Sequence, residues 1–374
     1  MTSQSALSLL CAKRLVIKIG SALIADTERA CPRLEWMQSV AADIAFLCKK
    51  GVSVVIVSSG AIALARRQLG LVAGTLTVAE KQAAASVGQM ILAQCWRDVL
   101  AQQGLVASQI LFTADDTEDR QRYLRARDTF EALEQLGCVP VVNENDTIST
   151  YEIRFGDNDR LAARVAQMIG ADQLVLLSDI DGLYTADPRL DETASHIPII
   201  KCLTPEIEAM GGEPPPGYSS GGMRTKLVAA SIATQSGCAM AIAKGTIMHP
   251  LKALLEGGRC SWFLPEKQTV KARQKWILGA LKQHNRLIID DGAVKALSQG
   301  GSLLPSGILT VEGTFTAGEP VRIFGKYGSV IAHGVPAYSA EEIQRLVGCQ
   351  SEEIFVRLGR RGPDEIIHHN DLVL

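Results

Sequence analysis

Long apolar runs, a basic leader and closely spaced cysteine pairs are all missing from this 374-residue chain. Its most apolar internal run, Val52 to Val57, is far shorter than the roughly 20 residues that a membrane-spanning helix needs. The apolar stretch from Ala6 to Ala12 follows no basic residue, so it lacks the layout of a secretory signal. We therefore expect a soluble, cytoplasmic protein without membrane partners, in which residues 1–13 form a flexible leader.

Cysteine spacing and charge exclude further classes. The nine cysteines are odd in number and contain no CxxC pair, which favours reduced thiols over a disulfide framework or a zinc site. His368 and His369 are adjacent but have no other candidate ligand nearby, so a metal site is not expected there. The formal net charge of −2 gives no electrostatic reason for the whole molecule to bind a polyanion.

The length of the chain predicts one large and one small domain, because a typical domain has roughly 100 to 200 residues. Beyond His284 the sequence changes to short apolar segments separated by glycines, which predicts a small β-rich unit. Its expected strands are Arg286–Ile289, Ile308–Val311, Val321–Phe324, Val330–Ile331 and Ile354–Val356. We predict a large domain over residues 14–260, a connector over 261–283 and the small domain over 284–374.

The large domain alternates apolar strands with helical patterns, which predicts an α/β fold: a mainly parallel open sheet between two helical layers. The predicted strands are Arg14–Ile19, Val52–Val57, Val106–Leu111, Cys138–Val142, Leu174–Leu177 and, as the last one, Ala239–Ala243. The predicted helices are Leu34–Lys49, Ala79–Val99, Arg160–Ile169 and Leu227–Gln235. We interpret the charged segment Thr113–Arg127 as one solvated helix that Phe130–Leu136 completes; the alternative is a helix that packs against another subunit, and the sequence does not decide between the two.

The stretch Pro140–Asp159 has a dense group of amides and carboxylates directly after a strand. Open α/β sheets bind their ligands at the carboxyl ends of their strands, so we expect this stretch to form the floor of an active site. Alone, it is compatible with metal binding, acid/base catalysis or a solvated loop. Its polar members are Asn143, Glu144, Asn145, Asp146, Asp157, Asn158 and Asp159.

Two further segments place polar groups at the same edge. Lys18 lies inside an apolar strand and needs an anion or a route to solvent; the alternative is an edge-strand lysine that reaches water. The residues Ser58 to Gly60 follow a strand at a helix start, where backbone N–H groups attract anions. A serine N-cap with a glycine for packing is the alternative explanation.

The glycine-rich segment Gly211–Gly222 cannot be helix or strand, and it leads into Met223-Arg224-Thr225-Lys226. A glycine-rich loop that enters a helix beside a basic residue is typical of a phosphate site, although the P-loop pattern is absent. On this feature alone, a flexible loop with an incidental lysine is the favoured interpretation.

Six segments, taken together, resemble the bacterial glutamate 5-kinases of the amino-acid-kinase superfamily. In chain order they are IKIGSALIAD, VIVSSGAIALARRQLG, PVVNENDT, FGDNDRLAA, LLSDIDGLYTADPR and SSGGMRTKLVAA. The C-terminal unit is similar to a PUA domain. Each segment alone is weak, but NENDT with GDND and the PUA-like tail points to glutamate rather than aspartate, acetylglutamate, carbamate or uridylate kinases.

This resemblance implies that ATP, with Mg²⁺, phosphorylates the γ-carboxylate of L-glutamate to glutamyl 5-phosphate, the first step of proline biosynthesis. By motif position, the glutamate-binding residues are Ser59, Gly60, Asp146 and Asn158. The implied ATP-binding residues are Lys18, Gly20, Ser178, Asp179, Ser220, Gly221, Gly222, Met223, Arg224, Thr225 and Lys226. This chain departs from its relatives with Ser58 and Ser178 where threonine is frequent, and with Arg224 where a small polar residue is common.

The chemistry of a carboxylate acceptor is consistent with these residues. A carboxylate is ionised at neutral pH, so no general base is needed, and catalysis consists of positioning and charge neutralisation. Lys18, Lys226 and Mg²⁺ carried by ATP would neutralise the transferred group, with backbone N–H groups near Gly20 and Gly60. We expect Asp159 to orient the two lysines, so the polar stretch serves recognition rather than proton transfer.

Two alternatives remain. One is another carboxylate kinase of the superfamily, acting on N-acetylglutamate or aspartate. The other is an RNA-binding factor that uses the PUA-like tail, but basic residues there are offset by acidic ones and no aromatic stripe is evident. The resemblance also implies inhibition by proline, a homo-oligomer (dimer or tetramer) and a possible glutamyl-phosphate reductase partner.

Overall fold

The chain divides into two units, Met1–Thr269 and Val270–Leu374. The computed structural model describes residues 7–26, 31–66, 68–71, 76–148, 158–212, 222–265, 285–360, 362–368 and 371–373. Asp157, Ser220, Gly221 and most of the expected connector lie outside these residues, so the predictions that fall on them stay predictions.

Strands and helices alternate along the described part of the large unit. Its strands are β1 (Arg14–Ile19), β2 (Ala25–Asp26), β3 (Cys31–Pro32), β4 (Ser53–Ser58), β5 (Val106–Phe112), β6 (Cys138–Glu144), β7 (Gln173–Ser178), β8 (Leu183–Tyr184), β9 (His196–Ile197), β10 (Ile199–Ile200), β11 (Ala239–Lys244) and β12 (Cys260–Phe263). Its helices are α1 (Ser21–Ile24), α2 (Leu34–Lys49), α3 (Ala61–Ala65), α4 (Val78–Ala101), α5 (Ala114–Glu118), α6 (Arg120–Gln135), α7 (Asn158–Ile169), α8 (Pro205–Ala209), α9 (Met223–Gln235) and α10 (Pro250–Leu255).

Within the described residues, eight of these strands form one sheet in the order β10-β12-β11-β7-β1-β4-β6-β5. All neighbours run parallel except β11 and β12, which are antiparallel. Strand β1 is central, between β4 and β7. It is apolar on both faces because helices cover both, as is usual for parallel sheets.

Successive residues of β1 point to opposite helical layers, as strand geometry requires. Leu15, Ile17 and Ile19 join the apolar cluster formed with α2 and α4. Val16 joins the cluster on the other face, formed with α7 and α9. The predicted α/β sandwich is therefore confirmed.

The small unit contains a five-stranded sheet in the order β14-β13-β15-β16-β17 within the described residues. Its core includes Leu287, Ile323, Tyr338 and Leu346. The strands are β13 (Arg286–Ile289), β14 (Ile308–Glu312), β15 (Val321–Gly325), β16 (Val330–Gly334) and β17 (Leu372–Val373), and the helices are α11 (Asp291–Ser298), α12 (Ala340–Leu346) and α13 (Ile354–Leu358). The predicted β-rich character is confirmed.

The expected strand at Ile354–Val356 is wrong, because these residues begin helix α13. Only the Ile354 side chain is buried, whereas Phe355 and Val356 are 56% and 82% exposed. A short apolar run does not distinguish a strand from a helix by its pattern alone. The left-handed backbone of Gly359, with a φ of 72°, ends the helix.

The single helix predicted from Thr113 is also wrong, since Asp119 separates α5 from α6. The backbone of Asp119 is extended, with φ −68° and ψ 121°, and its side chain accepts a hydrogen bond from the Arg122 N–H. Asp119 therefore caps the second helix, a preference of aspartate that competes with helix continuation.

The two ends of the large unit show two further features. Leu9, in the short 3-10 helix Leu9–Cys11, is 1% exposed and packs into the core, and the domain bounds proposed from the sequence stay predictions. Strand β12 pairs with β11 and β10, so the sheet continues past the expected boundary at residue 260. Four residues are too few for a clear strand pattern, and only the pairing identifies them.

Candidate active site

Lys18 lies on the central strand β1, opposite Val57 of β4 and Leu176 of β7. It is two residues after Val16, so it shares the face that α7 and α9 cover. Its side chain is 10% exposed, and its Nζ atom lies 2.6 Å from Asp159 Oδ1. Because β1 has neighbours on both sides, the edge-strand alternative for Lys18 is excluded.

Asp159, the second residue of α7, connects two lysines. Its Oδ1 contacts Lys18, and its Oδ2 lies 3.2 Å from Lys226 Nζ and accepts a hydrogen bond of 2.9 Å from Thr225 Oγ1. Burial opposes ionisation of Asp159, but the charges of both lysines outweigh it and lower the pKa to about 2. The carboxylate is therefore ionised at neutral pH.

Lys226 is in the first turn of α9, which begins at Met223 and not at Leu227 as predicted. Gly222 precedes the helix without a side-chain cap, and its carbonyl oxygen lies 2.9 Å from Thr225 Oγ1, where it competes with Asp159 for the one hydroxyl proton. Arg224 is exposed on the same turn. The helix start and two ammonium groups thus surround one carboxylate, an arrangement with surplus positive charge that suits an anion such as phosphate.

Glycine and serine complete this edge of the sheet. A Cβ atom on Gly20 would be 3.9 Å from Lys18 Nζ, so the glycine backbone lies beside the ammonium group. Ser178 is two residues after Leu176, the neighbour of Lys18, and its Oγ donates to Asp179 Oδ1 at 3.0 Å. Predicted nucleotide-binding residues from β1, β7 and α9 therefore lie at one end of the sheet.

A second group of contacts surrounds Asn158, directly before Asp159. Asn158 Nδ2 donates to Ser59 Oγ at 2.6 Å and to Asn143 Oδ1 at 2.8 Å. Asn143 Nδ2 in turn donates to Gln89 Oε1 at 2.8 Å. Two consecutive residues at the start of α7 thus join an amide network on one side and the lysines on the other.

Gly60 has a left-handed backbone with a φ of 112° and precedes α3. The Ser59 N–H donates to the Ile19 carbonyl at 3.1 Å, which ties this turn to the end of β1. Below it, Trp96 Nε1 donates to Ser58 Oγ at 3.0 Å. The turn that presents Ser59 and Gly60 is therefore held from β1 and from α4.

Asp146 follows β6 and is half-buried. Burial and the nearby charge of Glu144 raise its pKa to about 7. At neutral pH this carboxyl group is only partly ionised, and a cation that binds beside it favours the ionised form.

Asn143 and Gln89 were absent from the predicted substrate-binding residues. Asn143 is one of the polar residues of Pro140–Asp159, so the sequence did mark it as a candidate site residue. Gln89 lies within α4, and no feature of that helix separates it from the other glutamines. A Cβ atom on the preceding Gly88 would be 1.7 Å from the Ala61 carbonyl oxygen, which shows how closely α4 approaches α3.

Neither a cluster of metal-binding side chains nor a membrane-spanning helix occurs in the described part of the chain. These residues contain no group of three or more histidine, cysteine, aspartate or glutamate side chains that could hold a metal ion. They also include no helix that is both long and apolar enough to span a bilayer.

The chain is similar in sequence to known proteins over almost its whole length. Residues 13–244 match the amino acid kinase family, and residues 285–355 match the PUA domain. Proteins named glutamate 5-kinase are 58% identical in Gluconobacter oxydans, 54% in Paramagnetospirillum magneticum and 54% in Rhodospirillum rubrum. These matches cover 96–97% of this chain and 96–98% of the three relatives.

Proposed function

Because this chain belongs to the amino acid kinase family, we propose that it transfers the γ-phosphoryl group of ATP to the γ-carboxylate of L-glutamate. The product is L-glutamyl 5-phosphate. The contact of Asp159 with both Lys18 and Lys226 carries this proposal, because it holds two cations where phosphate charge develops.

The two lysines bind the phosphate groups and stabilise the charge of the transferred phosphoryl group. Asp159 contacts both ammonium groups and holds them in a fixed position. Gly20, Ser178, Asp179 and residues 220–226 bind the rest of the nucleotide. Exposed Arg224 adds a positive charge at the start of α9 and contributes to nucleotide affinity.

The acceptor side consists of Ser59, Gly60, Asp146 and Asn158. Two acceptors suit the ammonium group of an amino acid: the carboxyl group of Asp146, with its raised pKa, and Asn158 Oδ1. Asn158 Oδ1 is buried and has no hydrogen-bond partner among the described residues. The γ-carboxylate of glutamate is already ionised and attacks the phosphorus atom without a general base.

Magnesium fits this site as an ion brought by the nucleotide. Both oxygens of Asp159 are already engaged by lysine, and Thr225 also donates to Oδ2. The phosphate oxygens of ATP would therefore provide the main ligands, and the bound ion would neutralise phosphate charge. The residues of this chain bind the nucleotide, orient the glutamate and exclude water.

The experiment is an acyl-phosphate assay with the purified full chain, in which hydroxylamine traps the product. We expect product with glutamate, ATP and Mg²⁺ together, and none when any of these is omitted. If aspartate or N-acetylglutamate gives equal or greater activity, that acid and not glutamate would be identified as the substrate. No activity with any of the three acids would overturn the proposal.

The wider biological expectations can be tested with the same material. We propose that the product enters proline biosynthesis in the cytoplasm, that proline inhibits at or near the glutamate site, and that the chain forms a dimer or tetramer. Proline added to the assay should raise the glutamate concentration needed for half-maximal rate. Sedimentation of the full chain measures its oligomeric state, and mixing with a glutamyl-phosphate reductase tests for a complex.

The domain arrangement is also part of the proposal. We propose that the kinase domain continues through strand β12, to Phe263, and that the PUA domain begins near Asn285. The connector then falls between these residues. Limited proteolysis followed by mass determination should release fragments that end between them, whereas cleavage within β12 would contradict this boundary.

A further inference from the structure

We propose that Gln89 is a positioning residue that fixes the direction of an amide chain, so that Asn158 offers its carbonyl oxygen to the ammonium group of the substrate. This inference rests on the proposed function and adds a residue that determines how the amino acid is recognised. Gln89 acts through Asn143 and Asn158 and contacts neither substrate nor nucleotide.

The chain has three amide groups from three elements. Gln89 of α4 accepts from Asn143 of β6 at 2.8 Å, and Asn143 accepts from Asn158 of α7 at 2.8 Å. A terminal amide has one acceptor end and one donor end, so each hydrogen bond fixes which end the next group presents. Because Gln89 presents its oxygen to Asn143, the remaining amides are aligned in one direction.

The free atoms lie at the two ends of this chain. Gln89 Nε2 and Asn158 Oδ1 are both buried, and neither has a hydrogen-bond partner within the described residues. Leaving such an atom unpaired costs about 1–3 kcal/mol. Asn158 is the residue of the two that bonds the predicted substrate-binding residue Ser59, so its unpaired atom is the one that indicates a substrate group. Asn158 Oδ1 is an acceptor, which suits the donor N–H groups of a substrate ammonium.

The reverse direction would give a different site. If Gln89 donated to Asn143, Asn143 would donate to Asn158, and Asn158 would present its amino group to the substrate. The NH₂ end of the Asn158 amide can only donate hydrogen bonds. It therefore does not bind an ammonium group, which is also a donor, but it binds a carboxylate. The direction of the chain thus selects the chemical group that binds, and Gln89 is the residue at the end opposite to the substrate.

The position of Gln89 is held by the packing of α4. A methyl carbon at the neighbouring Gly88 would overlap the Ala61 carbonyl oxygen, so α4 lies directly against α3. Further along the same helix, Trp96 is fully buried and donates to Ser58 Oγ, beside Ser59. Helix α4 therefore supports the Asn158–Ser59 pair indirectly, through the bond of Gln89 with Asn143 and the bond of Trp96 with Ser58.

The test is Gln89→Met, which keeps the length of the side chain and removes its hydrogen-bonding atoms. The loss of a buried hydrogen bond predicts a rise of about 5- to 30-fold in KM for glutamate. We expect kcat and the KM for ATP to stay within about threefold of wild type, because the lysine side of α7 is separate from the amide chain. Gln94→Met is the matched control, since Gln94 is an exposed glutamine of the same helix.

Glutarate, which is glutamate without its ammonium group, separates recognition from general damage. Its kcat/KM, or its inhibition constant if it is not phosphorylated, is measured beside that of glutamate. The preference of wild type for glutamate should fall about 5- to 30-fold in Gln89→Met, because only the ammonium contact is lost. An unchanged preference, or an unchanged KM for glutamate, would overturn the inference.

Two further measurements distinguish a failure of the Gln89 inference from a failure of the proposed function and from a variant that does not fold. If wild type fails to phosphorylate glutamate, the proposed function fails before Gln89 is considered. If Gln89→Met does not fold, judged by circular dichroism, Gln89→Asn is measured in the same way. Its amide is one methylene too short to reach Asn143, so the same loss of preference is expected, and a wild-type preference would again overturn the inference.

Discussion

Lys18 Nζ lies 2.6 Å from Asp159 Oδ1, which joins the central strand of the sheet to the first turn of α7. This contact explains how an apolar strand accommodates a lysine, because the carboxylate provides the anion that a buried ammonium group needs. The same carboxylate reaches Lys226 of α9. One side chain thus determines the distance between the two cations.

Lys18→Ala should reduce kcat by about 10²-fold or more, the loss expected when one charge contact with a transition state is removed. The measurement is acyl-phosphate formation at saturating ATP and glutamate. Lys49→Ala is the control, because Lys49 is an exposed lysine at the end of α2. Near-normal turnover in Lys18→Ala would remove Lys18 from the catalytic residues.

Asp159→Asn should lower both activity and stability. The two ammonium groups then repel each other without a counter-charge, and losing one partner of a buried ion pair costs about 3–5 kcal/mol. We expect urea unfolding to show this loss at neutral pH, where the wild-type carboxylate is ionised because its pKa is about 2. Inorganic phosphate should stabilise Asp159→Asn more than wild type, since an added anion replaces the missing charge.

Two outcomes of the Asp159→Asn experiments would contradict the role of this carboxylate. If phosphate stabilises Asp159→Asn and wild type to the same extent, the lysines do not form an anion site that Asp159 neutralises. A wild-type kcat in Asp159→Asn would likewise exclude the orienting role of this carboxylate.

Asp146 should make the affinity for glutamate depend on pH near neutrality. Burial and the charge of Glu144 raise its pKa to about 7, so the free carboxyl group becomes protonated as the pH falls below that value. Only the ionised form attracts an ammonium group. At saturating ATP, kcat/KM for glutamate should therefore fall about tenfold per pH unit well below pH 7 and level off above it.

Asp146→Asn tests this assignment. The variant should have a high KM for glutamate at every pH, and its kcat/KM should lack the transition near pH 7, because the titrating group is gone. Asp146→Ala should chiefly raise KM for glutamate as well. A transition that persists unchanged in Asp146→Asn would assign it to another group, such as the nucleotide phosphate.

Gly88→Ala should destabilise the large unit by about 3 kcal/mol, because the new methyl group would overlap the backbone of Ala61 and overpacking of a core costs about 1–3 kcal/mol. Chemical unfolding measures the change. Gly222→Ala is the control, since a Cβ atom there meets no atom of the described residues within 4 Å. Equal stabilities of the two variants would contradict the close contact between α3 and α4.

Several predictions from the sequence were confirmed because they depend on local pattern. Apolar strands alternating with helical patterns predicted a parallel sheet between two helical layers, and the chain forms one. Glycine-separated apolar segments predicted the β-rich small unit. The errors at Asp119 and Ile354–Val356 arose where local signals compete or are too short, whereas strand β12 is identified only by its pairing with distant residues.

The order of amino acids establishes which polar residues follow the strands: Lys18, the polar stretch after β6, and Lys226 after a glycine-rich segment. Which of these residues contact one another depends on how the helices and strands pack. Asp159 contacts both lysines because α7 and α9 pack side by side over β1, and Gln89 joins Asn143 because α4 lies against α3. Such contacts depend on the packing of distant elements, which a local pattern of residues does not contain.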